Sequence, residues 1–102
     1  MYINTGTGSL ATKVDYTTGS SPYSVVIGDL NGDGKSDLAV ASYSSPSISI
    51  FINTGNGTFS EKVDYTASSN PRFVAIGDLN GDGKPDLAVA NQNSNSISIF
   101  LN

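Results

Sequence analysis

Two short Gly-rich segments of this 102-residue sequence hold six of its nine acidic residues. Each segment reads D-x-N-x-D-G-x-x-D, over residues 29–37 and again over residues 78–86. Hard oxygen donors at alternate positions, with Gly allowing a sharp turn after the third donor, suit a calcium ion that takes about six to eight oxygen ligands. The spacing differs from the longer EF-hand loop with its closing Glu, and both segments are predicted to lie between strands.

A plain hairpin turn is the alternative interpretation of these segments, since Asp-Gly and Asn-Gly are typical turn pairs. Three Asp carboxylates within nine residues would then repel one another without compensation, and the same arrangement occurs twice. The sequence therefore favours a calcium loop over a plain turn.

The rest of the composition excludes most familiar catalytic chemistry. The chain has no Cys and no His, hence no disulfide, zinc site, thiolate, Ser-His nucleophile or imidazole base. We therefore expect no enzymatic activity. The net charge is −4 and the five basic residues are spread singly, so we expect no nucleic-acid partner.

The sequence carries no sign of targeting to a membrane. Its first residues have neither a basic nor an apolar signal segment, and no apolar run approaches the length of a membrane span. We expect no membrane partner and a soluble chain, cytoplasmic as expressed.

An internal repeat organises the whole chain. Shifting the sequence by 49 positions aligns residues 1–53 with residues 50–102, and 34 of these 53 pairs are identical. A period of about 40 to 50 residues is typical of propeller blades or of helical repeats, so strand content must decide between them.

The hydrophobic pattern favours strands over helices. No segment keeps apolar residues at helical spacing, whereas short β-branched runs alternate with Gly, Asn, Asp and Ser clusters. We predict an all-β fold of β-propeller blades with four antiparallel strands each, two blades per chain. The predicted strands are A at 25–27 and 74–76, B at 38–41 and 87–90, C at 47–52 and 96–101, and D at 59–65.

Residues 25–41 and 74–90 read VVIGDLNGDGKSDLAVA and VAIGDLNGDGKPDLAVA, and they resemble the FG-GAP/VCBS repeats of integrin α-subunit-like β-propellers. The resemblance covers both units and implies one calcium ion in the A–B loop of each blade, two per chain. It also implies an extracellular or cell-surface setting, which is typical of the family. The implied ligands are the side chains of Asp29, Asn31, Asp33 and Asp37 with the Lys35 carbonyl, and those of Asp78, Asn80, Asp82 and Asp86 with the Lys84 carbonyl.

The way in which the repeat divides the chain into blades predicts assembly with further copies of the chain. Residues 1–22 hold a D strand near residues 10–16 and a connection, residues 23–65 a complete blade, and residues 66–102 strands A to C of a second blade. Two blades cannot close a ring, so we expect a homo-oligomer completed by strand exchange, with three chains giving six blades or four giving eight. Family members are usually single chains of about seven blades, whereas this chain holds only two units. The two units are also nearly identical, which suggests a two-blade fragment, engineered or reconstructed.

Three classes of function follow from these features. The first is a calcium-stabilised structural module that assembles with copies of itself. The second is a carbohydrate- or protein-binding propeller that uses its D–A and B–C connections. The simpler alternative is that the residues of these connections are only solvated loop residues. The third is a polysaccharide-processing enzyme, although the absence of His and the single Arg leave little to abstract or donate a proton. The candidate ligand-binding residues are Tyr23, Tyr43, Arg72, Gln92 and Asn93.

Overall fold

The structure is a computed structural model that describes residues 2–3, 6, 13–55 and 58–102. Within these residues the chain forms β-strands and no helix, as the alternation of β-branched and small residues predicts. The described part of the chain accordingly holds no helix that could span a membrane. The strands are β1 (Pro22–Gly28), β2 (Asp37–Ser42), β3 (Ser47–Phe51), β4 (Asn53–Gly55), β5 (Thr58–Phe59), β6 (Val63–Thr66), β7 (Pro71–Gly77), β8 (Asp86–Asn91) and β9 (Ser96–Phe100).

Three antiparallel sheets are formed from these strands. The first sheet has the order β1-β2-β3-β6, the second has the order β7-β8-β9, and β4 pairs with β5 in a small hairpin. Strands β1 and β7 both contain a β-bulge, at which Tyr23 and Arg72 are the extra, unpaired residues. An all-β architecture of this kind is compatible with the blades of a β-propeller.

The structure departs from the predicted strands after β3. Of residues 59–65, predicted as one strand D, Phe59 belongs to β5, residues 63–65 belong to β6 in a different sheet, and residues 60–62 are in neither strand. The division arises because the chain after β3 first folds back as the β4–β5 hairpin, where the Thr54 hydroxyl bonds the carbonyl oxygen of Thr58 over 3.0 Å. Of the D strand predicted near residues 10–16, residues 10–12 lie outside the described part, and residues 13–16 are not in a strand.

The core lies between the first and second sheets. Strand β2 is buried along most of its length, as expected for a strand with Leu and Val on one face and Ala on the other. Strands β1 and β2 both approach β7, so the two sheets pack face to face. The buried core residues are Ala39, Ala41, Ile48 and Ile50 from the first sheet and Val74, Leu87 and Val89 from the second.

Repeat-equivalent residues occupy very different surroundings on the outer faces of this pair of sheets. Val25 of β1 is 57% exposed, whereas its equivalent Val74 is 5% exposed in the core. Ile97 of β9 is 70% exposed, whereas its equivalent Ile48 is fully buried. We call the outer face of the first sheet, with Val25 and Ile27, face 1, and the outer face of the second sheet, with Phe73, Ile97 and Ile99, face 2.

Candidate metal centres and loop cluster

Each acidic loop joins the first two strands of a sheet and wraps around its first carboxylate. Asp29 follows β1, and its carboxylate accepts backbone N–H bonds from Gly32 over 2.8 Å and from Gly34 over 2.7 Å. The wrapping needs positive φ angles of 79° at Gly32 and 82° at Gly34, which Gly adopts without steric cost. Asp78 accepts the equivalent bonds from Gly81 and Gly83, both over 2.8 Å. The two loops therefore have the same internal geometry.

These backbone bonds stabilise the ionised form of the first carboxylate. The N–H of Gly34, followed by smaller contributions from other loop amides, lowers the pKa of Asp29 below its ordinary value. The N–H of Gly83 has the same leading effect on the pKa of Asp78. Both loops therefore favour the ionised form of this carboxylate.

The last carboxylate of each loop is buried and has both oxygens occupied. Asp37 accepts the N–H of Leu30 through Oδ2 and the N–H of Asn53 through Oδ1, each over 2.8 Å. Asp86 accepts the N–H of Leu79 over 2.8 Å and that of Asn102 over 2.7 Å. Each of these Asp residues thus ties its loop to the residues just after the third strand of the sheet.

The three carboxylates of each loop converge. One oxygen from each of Asp29, Asp33 and Asp37 lies within 4.8 Å of the other two, and the same holds for the Asp78, Asp82 and Asp86 group. Two oxygens bound to one calcium ion at about 2.3–2.6 Å can be at most about 5 Å apart, so both groups fit a single shared ion. Each group can therefore hold a metal ion through oxygen ligands alone.

Six of the ten predicted ligands are brought together in this way, namely the Asp side chains. Asn31 turns its Oδ1 toward the N–H of Asp33 over 3.3 Å, inside the same loop. Ligation by the Asn31 and Asn80 side chains and by the carbonyls of Lys35 and Lys84 stays a prediction.

Sequence reasoning missed one residue of the loop framework. Asn53 donates its backbone N–H to Asp37, and its side-chain Nδ2 bonds the carbonyl oxygen of Ser36 over 2.9 Å. Asn102, its repeat equivalent, donates its N–H to Asp86. The recurrence of Asn at these positions is visible in the sequence, but its meaning depends on the contact with a buried carboxylate.

The D–A and B–C connections meet at one end of both sheets. In the first sheet, Tyr43 donates its N–H to the carbonyl oxygen of Ser21 over 2.8 Å. In the second, Gln92 donates its N–H to the carbonyl oxygen of Asn70 over 3.1 Å. We call the surface formed by these connections the loop face. The acidic loops lie at the other ends of the strands.

Four of the five candidate ligand-binding residues form one cluster on the loop face. The rings of Tyr23 and Tyr43 are 5.2 Å apart between centroids, and the guanidinium of Arg72 lies 4.9 Å from the Tyr23 centroid. Arg72 also donates to the Gln92 side-chain oxygen over 3.4 Å. Asn93 instead bonds the side chain of Asn70 over 3.0 Å. The two bulges thus aim Tyr23 and Arg72 at each other across the boundary between the sheets.

The fold and the site define a class of protein: an all-β repeat protein with two equivalent acidic loops. A family model described as FG-GAP-like repeat matches residues 1–40 and 29–89. The chain belongs to the FG-GAP-like repeat family, whose members are generally structural or adhesive, typically extracellular and typically calcium-binding. Comparison with curated proteins and with solved structures gave no match.

Proposed function

We propose that the chain is a calcium-stabilised structural β-propeller module that assembles with copies of itself into a closed ring. The observation that carries the proposal is the difference in exposure between repeat-equivalent residues. Val25 and Ile27 on face 1 are exposed, and so are Ile97 and Ile99 on face 2, although the equivalents of these residues lie at or near the core. Large apolar side chains exposed side by side on one face of a sheet, as on each of these two faces, mark an interaction site.

The packing inside one chain supports the complementarity of face 1 and face 2. Inside the chain, Ile48 and Ile50 of the first sheet share the core with Val74 of the second, and Ile76 packs against it. Ile97 and Ile99 are the repeat equivalents of Ile48 and Ile50. Val25 and Ile27 are the repeat equivalents of Val74 and Ile76. Face 2 of one copy can therefore pack on face 1 of the next through the same contacts. This head-to-tail contact closes into a ring of three or four copies, with six or eight sheets.

The aromatic contacts support strand exchange at the same interface. Tyr65, in the outer strand of the first sheet, lies 6.2 Å from Phe100 of the second between ring centroids. Tyr16 lies 6.0 Å from Phe51 in the equivalent relation. Tyr16 thus lies against the first sheet where the outer strand of a preceding blade would lie. Residues around Tyr16 would then belong to the outer strand of a neighbouring copy's second sheet.

Strand β9 offers the matching edge. Its equivalent β3 pairs on its outer side with β6, whereas no strand of the described residues pairs with the outer side of β9. Strand β6 sets Asp64 opposite Ser49, whose hydroxyl donates to Asp64 over 2.7 Å. Asp15 and Ser98 are the equivalents of these two residues. In the ring, residues 14–17 of one copy add to β9 of another with Asp15 opposite Ser98, and each blade then has four strands.

Calcium has a structural role in this proposal. The three carboxylates of each loop repel one another when they converge, and a divalent cation relieves that repulsion while fixing the loop between two strands. Two ions per chain would also offset the net charge of −4. Ten residues are proposed as ligands, with Asn31, Asn80 and the carbonyls of Lys35 and Lys84 completing the two Asp groups.

The mass of the chain in solution tests the proposal. Sedimentation equilibrium at micromolar concentration should give three or four times the mass of one chain when calcium is present. Excess chelator should lower the melting temperature substantially or dissociate the ring. A stable monomer in calcium contradicts the assembly, and an unchanged melting temperature in chelator contradicts the role of the metal.

A second candidate function is favoured by the cluster of Tyr23, Tyr43, Arg72 and Gln92. Aromatic rings beside amide and guanidinium groups on a loop face are suited to binding a sugar or a protein segment. This function is compatible with the ring, since each copy would present one such cluster. A glycan array probed in millimolar calcium tests it, and a uniformly blank array would count against a carbohydrate ligand.

A further inference from the structure

One side chain of the second unit reaches the acidic loop of the first unit. The side-chain Nδ2 of Asn102 donates to the carbonyl oxygen of Leu30 over 2.5 Å, although the two residues are 72 positions apart in the chain. Leu30 is the second residue of the first loop, between the proposed ligands Asp29 and Asn31. Asn102 therefore holds the loop of the first unit from the end of the second.

The same residue is tied to the loop of its own unit. The backbone N–H of Asn102 donates to the buried carboxylate of Asp86 over 2.7 Å. At the other end of the contact, the N–H of Leu30 donates to the buried carboxylate of Asp37 over 2.8 Å. A continuous series of three hydrogen bonds thus joins the last carboxylate of one loop to the last carboxylate of the other.

The packing of Leu30 supports this connection between the loops. Leu30 is partly buried against core residues, and it lines a groove together with Pro85, Leu87 and Asn102 of the second unit. Its repeat equivalent Leu79 is 53% exposed. The two loops have the same internal geometry, so the difference in exposure reflects the packing of the second unit against the first loop. Contacts with the second unit therefore hold the first loop at Leu30.

We infer that Asn102 couples the two candidate calcium centres, so that occupancy of one loop raises the affinity of the other. Asp86, once it ligates an ion, is fixed together with the backbone of Asn102 and, through the Asn102 side chain, the carbonyl of Leu30. The first loop then loses less freedom when it binds, and an ordered loop binds more tightly. Coupling between two sites is reciprocal, so the first loop to be filled favours the second in either order. This inference rests on the calcium sites of the proposed function.

The near-identity of the two loops makes the coupling measurable. Residues 29–37 and 78–86 differ only at Ser36 and Pro85, so the intrinsic affinities of the two loops should be similar. Two similar and independent sites give a Hill coefficient of one, and a difference between the sites only lowers it, so a value above one requires positive coupling. A net hydrogen bond changes an equilibrium constant by about two- to tenfold, which sets the expected size of the coupling.

Calorimetric titration of the 102-residue chain with calcium tests the inference, in about 0.15 M salt so that repulsion between the two ions is screened. Assembly linked to calcium would give cooperativity of its own. The titration is therefore repeated on I97S, which removes an apolar side chain of face 2, at a concentration where its mass does not change with calcium. We expect a Hill coefficient above one in both chains. A coefficient of one or less in I97S overturns the inference.

Amide hydrogen exchange measures the coupling directly in a chain whose first loop is weakened. In D33N, a calcium concentration that fills only the second loop should still slow the exchange of the amides in residues 29–37, by about two- to tenfold. The N–H groups of Gly32 and Gly34, which bond the Asp29 carboxylate, belong to this set. If exchange slows in residues 78–86 and stays unchanged in residues 29–37, the two loops are not coupled.

Two equivalent substitutions in the D33N chain separate the role of Asn102 from general effects on the loops. N102A removes the side-chain bond to Leu30 but keeps the backbone N–H that Asp86 accepts, so the slowing in the first loop should disappear. N53A is the matched control, because the Asn53 side chain bonds the carbonyl oxygen of Ser36 within its own unit over 2.9 Å. It should keep the ratio of exchange rates with and without calcium. A ratio that survives N102A, or that N53A also abolishes, overturns the role of Asn102.

The outcomes distinguish the inference from the function on which it rests. Two ions that bind independently remove the coupling and leave the calcium-stabilised module standing. A chain that binds no calcium contradicts both the coupling and the role of the metal. The number of copies in the ring is tested separately, by the mass in solution.

Discussion

The side chain of Ile76 lies directly against Gly28, in the space that a β-carbon at position 28 would occupy. Gly28 ends β1 and Ile76 belongs to β7, so this contact lets the first and second sheets approach closely. The repeat-equivalent Gly77 has no atom within 4 Å of the corresponding point. The same residue type thus has a packing role in one unit and free space beside it in the other.

Gly28→Ala should destabilise the chain. The added methyl group would displace the end of the Ile76 side chain, and an unfavourable rotamer there costs about 0.5–1.5 kcal/mol. The melting temperature should fall both with and without calcium. An unchanged melting temperature would mean that the two sheets do not pack as described.

Gly77→Ala is the matched control, and it also tests the ring. In a single chain it should be nearly neutral, because nothing lies near the added methyl group. In the ring, Ile27 of the next copy would occupy the place that Ile76 takes beside Gly28. We therefore expect this variant to weaken assembly, measured by sedimentation at several dilutions. Unchanged assembly would argue against this packing between copies.

Ile97→Ser should dissociate the ring with little effect on the single chain. Ile97 is exposed on β9, and in the ring it would be buried as Ile48 is buried under the second sheet. Burial of an Ile side chain contributes about 1.5–3 kcal/mol, a loss that recurs at every interface of the ring. Ile48→Ser is the comparison, and it should lower the melting temperature of any state. Equal effects of the two substitutions on a monomeric chain would contradict the proposal.

Much of the fold could be predicted from the sequence because its signals are local and repeated. The acidic loops, the strands on either side and the third strand of each unit follow from Gly-Asp-Asn spacing and from alternation, and the structure forms them at nearly the expected positions. The D strand could not be predicted in detail. Whether residues 58–66 form one strand or two depends on how the β4–β5 hairpin folds back, which is a tertiary choice.

The candidate sites, like the fold, could be predicted from the sequence only in part. The convergence of Asp29, Asp33 and Asp37 follows from their spacing in one loop, so sequence reasoning could reach it. The second role of Asp37, as acceptor for Leu30 and Asn53, depends on a residue 16 positions away in the chain. The Tyr23–Arg72 contact depends on two bulges in different sheets, and a bulge has no sequence signal here. The sequence places Tyr23 and Arg72 near the two D–A connections, but their contact follows only from the fold.

Asp37→Asn should destabilise the chain even when no metal is bound. Both oxygens of the buried Asp37 carboxylate accept backbone N–H bonds, and Asn would turn its NH₂ group toward one of these donors. An unsatisfied buried donor costs about 1–3 kcal/mol. The melting temperature in excess chelator should therefore fall.

Asp33→Asn is the control for this substitution. Asp33 is exposed, and it accepts the N–H of Lys35 through Oδ1, a bond that Asn retains. In chelator this variant should melt no lower than the parent chain, because it removes one of three like charges that repel one another, whereas in calcium it should bind the ion more weakly. If both substitutions were neutral in chelator, Asp37 would have no structural role beyond the metal.

Asp64→Asn should remove part of the acid sensitivity of the chain. The Lys62 ammonium bonds the Asp64 carboxylate, and with the Ser49 hydroxyl it holds the pKa of Asp64 below 3.8, the ordinary value of an aspartate. A carboxylate with a lowered pKa in the folded state stabilises the fold above about pH 3.8. That contribution is lost as the pH falls through the lower, folded value. Melting temperatures in chelator between pH 7 and about pH 2.5 should therefore fall less steeply for the variant than for the parent chain.

Asp15→Asn, compared with Asp64→Asn in calcium so that the copies stay assembled, extends the measurement to the interface between copies. In a single chain Asp15 is an exposed partner of Lys13, and such pairs contribute little to stability. In the ring it would face Ser98 of another copy as Asp64 faces Ser49, and its substitution should reproduce the effect of Asp64→Asn. If Asp64→Asn flattens the pH profile of an assembled chain and Asp15→Asn does not, residues 14–17 do not pair with β9. Equal profiles would place the two carboxylates in equivalent strands.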